Sequence, residues 1–521
     1  LIRVSLLLKQ PKIKYYMDKR IAYAALAICI IAYGISFFYM LQPFNGIKQE
    51  YYLEVDPVFI LYPEGREPIG TVIVAHGFAG NIGIMKPMGM ALAQNGYRAV
   101  LFDFPGHGNS EELLQDESLA TSIKRVAEKY GGNDFSITGH SMGSLAVIQY
   151  GKEGVSVATI PVSPFYGEIN LTAPKNFLMI AGTDDIEASK TVLPGSVING
   201  TGNSSAVPGV TYGDLSNGTG RRSEFIPGAD HITIIFDSRT FDTMISWLDE
   251  TYGYSRDVKP SYNMPYPWFL LCAIISLIGS FPVAYLLFEN YRQEEYRLKA
   301  EPAKSWRPIA NMLVAAVVAA MLVNVFNPLK YAGIIGADTL FGFLTYCGII
   351  GLMIYIYKSK GISDLKYPAD ALLRSFSLAA LMLIYFVVSI GAPAMLSAYD
   401  LIPEENRLYI MLLCAFLVLP YNLLNELLFR CLKGWKSLAL GAICKVLTLL
   451  IFLVGVFITG NGFFILITLP ILFPLFILIE AFSYYSYKWT GNVLTGAFLN
   501  SLIIAWLLVS TFPLGMVSMP V

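Results

Sequence analysis

The stretch "FSITGHSMGSLAVIQYG", Phe135 to Gly151, sets a serine between two glycines at the point where a β-rich apolar run gives way to a helical pattern. Phe135–Thr138 reads as a strand and Ser141–Gly151 as a helix. The turn between them, Gly139-His140-Ser141-Met142-Gly143, is a G-x-S-x-G. At such a strand-to-helix turn the backbone is too tight for side chains at the glycines, and its strain pushes the serine oxygen out at the carboxyl edge of the sheet. The helix N-terminus behind the serine favours negative charge developing beside it. Five residues of this kind also arise by chance, so the surrounding sequence decides what they mean.

Around this stretch the chain alternates short apolar strands with helical segments. Thr71–Ala75 ("TVIVA"), Arg98–Phe102 ("RAVLF"), Val155–Pro161 ("VSVATIP"), Asn176–Ala181 ("NFLMIA") and Ser223–Ile226 ("SEFI") read as further strands. Helices are expected at Ile84–Asn95, Ser118–Tyr130 and Thr240–Glu250. Alternation of this kind predicts an α/β fold with a mostly parallel sheet covered on both faces.

Glycine turns follow two of these strands. "HGFAG", His76 to Gly80, closes the first, and "DFPGHGNS", Asp103 to Ser110, follows the second and looks like a D-x-x-G-x-G-x-S turn. With GHSMG, these motifs in this order resemble the α/β-hydrolase superfamily, especially its serine esterase, lipase and peptidase members. The resemblance covers roughly Tyr51 to Tyr252. It implies an α/β-hydrolase fold with Ser141 as nucleophile, Gly139 and Gly143 as its turn glycines, and His76 and Gly77 opening a second oxyanion element. The oxyanion donors would be the backbone N–H groups of Phe78 and Met142.

The family's triad runs Ser, acid, His, and both partners are in place. "AGTDD", Ala181 to Asp185, ends a strand, and Asp185 matches the family's acid, with the adjacent Asp184 as the alternative. "PGADHI", Pro227 to Ile232, follows the last strand, and His231 matches the base. Of the 4 histidines, His76, His107 and His140 belong to glycine turns and only His231 follows the acid. The resemblance implies acyl transfer through Ser141, His231 and Asp185 on an ester, thioester or amide, a carboxylic ester above all. Such chemistry needs no metal and no organic cofactor.

The rest of the chain is far more apolar. Of 521 residues 55% are hydrophobic and 14% charged, and the apolar excess falls in blocks of about 20 residues, the length of a membrane-crossing helix. One block runs from Arg20 to Leu41. The others are Pro267–Phe288, Ile309–Val325, Thr339–Tyr357, Phe376–Ala394, Leu408–Phe429, Leu438–Ile458, Phe463–Ser483 and Val493–Phe512. The expected organisation is therefore a cytoplasmic segment 1–19, an anchor helix 20–43, a hydrolase domain 44–259 and a polytopic membrane domain 260–521 of about eight helices.

Lys9, Lys12, Lys14, Lys19 and Arg20 precede the first span, and the positive-inside rule places them in the cytoplasm. Met17 is a candidate start, in which case Lys19 and Arg20 carry that argument. The hydrolase domain would then lie outside. Arg292, Arg297, Lys299, Lys304 and Arg307 fall inside, as do Lys358, Lys360 and Lys366, and Arg430, Lys433 and Lys436. Asp400, Glu404 and Glu405 fall outside. Nine spans in the cell membrane, N-terminus in and C-terminus out, satisfy every loop. All 6 cysteines lie in or beside spans, which leaves none for a disulfide in the hydrolase domain. A net charge of −1 with no basic stripe argues against a nucleic-acid partner.

No cap fits between the strand after the elbow and the strand bearing the acid, because only Ser163 to Lys175 intervenes. The extra length lies between acid and histidine, where Ile186 to Arg222 is turn-rich and ill suited to a hydrophobic lid. The expected site is open, or roofed by the membrane bundle, and suits a bulky, polymeric or lipid-borne acyl substrate. In the bundle, "NELLFR", Asn425 to Arg430, with "GNVLTGAFLN", Gly491 to Asn500, is faintly similar to the intramembrane CAAX-processing proteases. Asn425 stands where that family has a second Glu, and no span holds a histidine, so metal-dependent proteolysis is not expected. Asn425, Glu426, Arg430, Lys445 and Glu480 are expected to form interhelical ion pairs or to snorkel to the interface. Two competing readings are a transporter or receptor whose hydrolase-like domain binds ligand without turnover, and a scaffold carrying an inactive domain. The intact Ser, Asp and His set argues against both.

Overall fold

Eight strands form one sheet in a computed structural model that describes residues 18–114, 119–298, 306–359, 366–432, 434–459 and 463–515. They are β1 (Ile47–Tyr52), β2 (Val58–Pro63), β3 (Thr71–Ala75), β4 (Arg98–Phe102), β5 (Phe135–His140), β6 (Ala158–Val162), β7 (Phe177–Gly182) and β8 (Arg221–Ile226). The order across the sheet is β1-β2-β4-β3-β5-β6-β7-β8. β1 pairs antiparallel with β2 and β2 antiparallel with β4, and every other neighbour is parallel.

The central strands are continuous β-branched and aliphatic runs because both faces are covered. Val72, Val74, Ala99 and Leu101 point into one core with Met85, Met88 and Leu92 of α2 (Ile82–Gln94). Phe241, Ile245 and Leu248 of α6 (Ser238–Thr251) close that layer. Their sequence neighbours Ile73, Ala75, Val100 and Phe102 point the other way, against α3 (Leu119–Tyr130) and α4 (Met142–Gly151). This is the period-two alternation of a strand read twice, once for each face.

Two features differ from the sequence expectation. The antiparallel strands β1 and β2 extend the sheet where no strand was expected: β1 is an exposed, polar edge strand paired with β2, and β2 is held by β4, which lies far along the chain. The segment after the acid opens as a helix, α5 (Glu187–Thr201), despite Pro194, Gly195 and Gly200. Leu193 and Val197 are buried, and Leu193 packs with Phe177, Met179 and Ala181, so sheet contact outweighs poor helix propensity. α5 covers the sheet and forms no lid.

Outside the sheet lie α1 (Lys19–Leu41), α7 (Tyr266–Phe288), α8 (Trp306–Val325), α9 (Asp338–Ser359), α10 (Ala369–Phe386), α11 (Ala392–Ser397), α12 (Glu405–Phe429), α13 (Trp435–Thr459), α14 (Phe463–Thr490) and α15 (Val493–Thr511). Among the described residues, eight helical stretches are long and apolar enough to cross a bilayer, which marks a multi-pass membrane protein. The ninth expected span falls within α14, a continuous helix of 28 residues. Ile28, Ile30, Ile31, Ile35 and Phe38 of α1 stay exposed outside the bundle, whereas α15 is buried along nearly its whole length. Of the basic residues that argue for orientation, Lys9, Lys12, Lys14, Lys299, Lys304, Lys360 and Lys433 lie outside the described residues.

The intramembrane charges do not snorkel. Glu426, Arg430, Lys445 and Glu480 have fully buried side chains. Arg430 Nε lies 3.1 Å from Glu426 and Lys445 Nζ 2.9 Å from Glu480, and Arg430 also bonds Glu480. Two acids and two bases offset one another inside the bundle, which removes the need to reach water.

Candidate active site

The elbow is assembled by close backbone approach. Ser141 sits between β5 and α4 at φ 52° and ψ −115°, a conformation a side-chain-bearing residue holds only at a cost. Its N–H donates to Val162 O at 2.9 Å, and its carbonyl accepts from Ser144 N at 2.9 Å. A Cβ on Gly143 would stand 2.5 Å from His76 O, and one on Gly139 2.5 Å from Gly143 O, so neither position accepts a side chain. A Cβ on Gly77 would lie 3.1 Å from Ser141 Cβ, which places the backbone just before Phe78 against the serine.

Ser141, His231 and Asp185 form one hydrogen-bonded chain. Asp185 follows β7 and His231 follows β8, so both project from the same sheet edge as Ser141. His231 Nδ1 lies 2.7 Å from Asp185 Oδ1, and His231 Nε2 lies 2.9 Å from Ser141 Oγ. A carboxylate only accepts, so Nδ1 carries the proton and Nε2 accepts from the serine hydroxyl. Ser141 is 9%, His231 7% and Asp185 4% exposed, a chain nearly closed to water. Burial alone would raise the Asp185 pKa, but hydrogen bonds from His231, Ser163 and the Ile186 N–H outweigh it and hold the carboxyl below its ordinary value. Asp184 is not part of this chain. It is exposed, and its Oδ1 accepts from Thr183 Oγ1 at 3.3 Å.

The remaining expected residues brace the loops around the serine. His76 is buried; its Nδ1 donates to Gly77 O at 2.8 Å and its Nε2 accepts the Phe104 N–H at 3.0 Å, which ties the loop after β3 to the loop after β4. Burial pushes its pKa down to about 4, in keeping with this neutral role. Gly77 O and Gly80 N, 3.0 Å apart, close a turn with Phe78 and Ala79 at its centre. Met142 is the first residue of α4, where helix N–H groups have no intrahelical acceptor.

Two residues that sequence reasoning left without a role complete the geometry. Ser163, at the carboxyl end of β6 with φ 51°, donates from Oγ to Asp185 Oδ2 at 2.5 Å. His140 donates from Nε2 to the His231 carbonyl at 2.7 Å, and burial pushes its pKa down to about 3. The signal for Ser163 was a hydroxyl at the end of a strand lying between the elbow strand and the acid strand. For His140 no sequence signal separates a turn filler from a brace on the base.

Helical-bundle loops meet this edge of the sheet. The Phe78 ring lies 6.4 Å from that of Phe512 and 6.0 Å from that of His107. Tyr399 Oη donates to Ala79 O at 2.5 Å. Arg407 donates to the carbonyls of Gly106 and Gly108 at 2.6 and 3.2 Å, and to those of Val509 and Phe512 at 2.6 and 2.9 Å. Of the two expectations for the site, open or roofed by the bundle, the bundle covers the side of the Gly77–Gly80 turn.

A mostly parallel eight-stranded sheet with flanking helices, no cap, and a serine elbow after β5 defines an α/β-hydrolase domain joined to a helical membrane region. The family model Hydrolase_4, described as serine aminopeptidase, S33, matches residues 66–183, a stretch that contains HGFAG, DFPGHGNS and GHSMG and ends two residues before Asp185. No curated protein matches the chain. Similar solved structures include a predicted CIB-like hydrolase from Thermoplasma acidophilum, at 15% identity over 39% of this chain and 97% of that one, TM-score 0.30. A carboxylesterase of Nitrososphaera gargenis is 12% identical over 39% of this chain and 99% of its own, TM-score 0.30. A soluble variant of monoglyceride lipase from Saccharomyces cerevisiae is 15% identical over 39% of this chain and 96% of its own, TM-score 0.29.

Proposed function

We propose that the chain is a membrane-anchored serine hydrolase that cleaves an ester, thioester or amide, a carboxylic ester above all, through an acyl-enzyme on Ser141. The observation that carries this reading is the continuous chain from Ser141 Oγ through His231 to Asp185, at 2.9 and 2.7 Å, on a serine held at positive φ. His231 Nε2 takes the Ser141 proton as Oγ bonds the acyl carbon and the carbonyl pair moves onto oxygen. The N–H groups of Met142 and Phe78 receive that oxyanion. The intermediate collapses, the leaving group departs with the proton from His231, and water then repeats the sequence to free the acid. Asp185, held ionised, keeps the Nδ1 proton in place throughout. A hydrolase-like domain that only binds ligand has no use for this arrangement. The test is a fluorophosphonate probe on the full-length protein: Ser141 should carry the label in the digested peptide, and a probe that leaves Ser141 unmodified overturns the assignment.

The same reading divides the chain at 1–19, 20–43, 44–259 and 260–521 and places the hydrolase domain outside the cell membrane with the N-terminus in the cytoplasm. The contacts at Ile334–Gly336, Tyr399–Asp400 and Phe512–Gly515 support the count of alternating spans, while the choice of the outer side rests on the flanking charge. All three lie against the hydrolase or one another, and nine alternating spans put these loops on the hydrolase side. The substrate is then an external or membrane-borne acyl compound. In a cysteine-free background, a cysteine near Asn203 should react with an impermeant thiol reagent on intact cells, and one near Glu295 only after permeabilisation. Labelling near Asn203 that requires permeabilisation would reverse the orientation.

A further inference from the structure

We infer that Tyr399, supplied by the helical bundle, is a positioning residue for the oxyanion site, so the bundle is a working part of the hydrolase and not its anchor alone. The inference rests on the serine-hydrolase reading above. The turn from Gly77 to Gly80 presents Phe78 beside Ser141 and has Ala79 as its third residue, at φ 55°. A turn with positive φ at that position ordinarily takes glycine there, because a Cβ disfavours it. Ala79 has no such freedom, and the turn needs an outside contact to hold it. Tyr399 supplies one. Its hydroxyl donates to Ala79 O at 2.5 Å. Rotation of Ala79 towards negative φ would swing that carbonyl away and carry the neighbouring Phe78 peptide with it.

The surrounding contacts keep Tyr399 in register with the turn. Asn81 and Asp400 clasp each other, Asn81 Nδ2 donating to Asp400 O at 3.0 Å and Asp400 N to Asn81 Oδ1 at 3.3 Å. A Cβ on Gly83 would fall 2.6 Å from Tyr399 Cα, which shows how closely α2 and the bundle segment approach. Lys86 bonds the Met395 carbonyl from the same helix. On the other flank, Arg407 binds both the loop after β4 and the Phe512 carbonyl, and the Phe512 ring lies against that of Phe78. A bundle serving only to tether the domain has no reason to place its polar contacts on the two loops that frame the serine.

The test uses the full-length protein in detergent micelles with a chromogenic short-chain ester. Tyr399→Phe keeps the ring and removes only the hydroxyl, and it should lower kcat about tenfold with KM changed by less than about twofold. Its rate of fluorophosphonate labelling should fall in parallel, with the melting temperature unchanged. Tyr33→Phe is the control, since the Tyr33 hydroxyl bonds the Ser389 carbonyl at 3.0 Å within the bundle and away from the hydrolase. That variant should keep wild-type kcat. Wild-type kcat in Tyr399→Phe, or an equal loss in Tyr33→Phe, overturns the inference while the hydrolase reading stands. A wild-type protein that neither turns over ester nor accepts the probe overturns that reading, and this inference with it.

Discussion

Ser141→Ala is expected to lower kcat by about 10⁶-fold, with His231→Ala close behind and the double variant no worse than either alone. The reason is that the two groups act as one device. Without the hydroxyl at 2.9 Å, His231 Nε2 has no nucleophile to activate, and without His231 the hydroxyl keeps its proton. What survives in each variant is the oxyanion donors and substrate binding, which do not depend on either side chain. Steady-state ester hydrolysis by the three variants, each checked for an unchanged melting temperature, measures this directly. Losses that multiply in the double variant would mean that Ser141 and His231 contribute independently, and the proposed acyl transfer would fail.

Asp185→Asn should lower kcat by about 10⁴-fold, because an amide keeps the shape but favours the wrong histidine tautomer. Asp184→Asn should leave turnover near wild type, since its carboxylate is exposed and bonded to Thr183, outside the chain that joins Ser141, His231 and Asp185. The reverse ranking would move the acid to Asp184 and require a reorganised loop after β7. The Asp185 pKa fixes the pH at which its role ends. Its folded value is depressed, so the stability it contributes is complete above the unfolded value of about 3.9 and is lost only as pH falls through the lower folded one. Asp185 therefore stays charged through the neutral range, and its protonation does not shape the activity profile there.

Much of the site was readable because its parts are local. A nucleophile turn needs its glycines within two residues of the serine, and the candidate acid and base each follow closely on a short strand, β7 and β8. The membrane spans were readable for a similar reason, since hydrophobic length and flanking charge are properties of contiguous sequence. The hairpin of β1 and β2 was not, because β1 carries Lys48, Gln49 and Glu50 on a largely exposed edge and β2 owes its place to pairing with β4. Nor was α5, whose Pro194 and glycines argue against a helix until Leu193 finds the sheet.

The sheet-and-bundle architecture follows from spacing and composition within the sequence, whereas the roles expected of Ser141, Asp185 and His231 rest on the resemblance of their motifs to the α/β-hydrolases. Only the tertiary structure separates Asp185, bonded to His231 at 2.7 Å, from the exposed Asp184. It also brought in Ser163, His140, Tyr399 and Arg407 and turned the intramembrane charges inward to one another. These are contacts between segments as much as 320 residues apart, and a hydrogen bond at that separation depends on how helices and sheet dock, for which no local pattern stands.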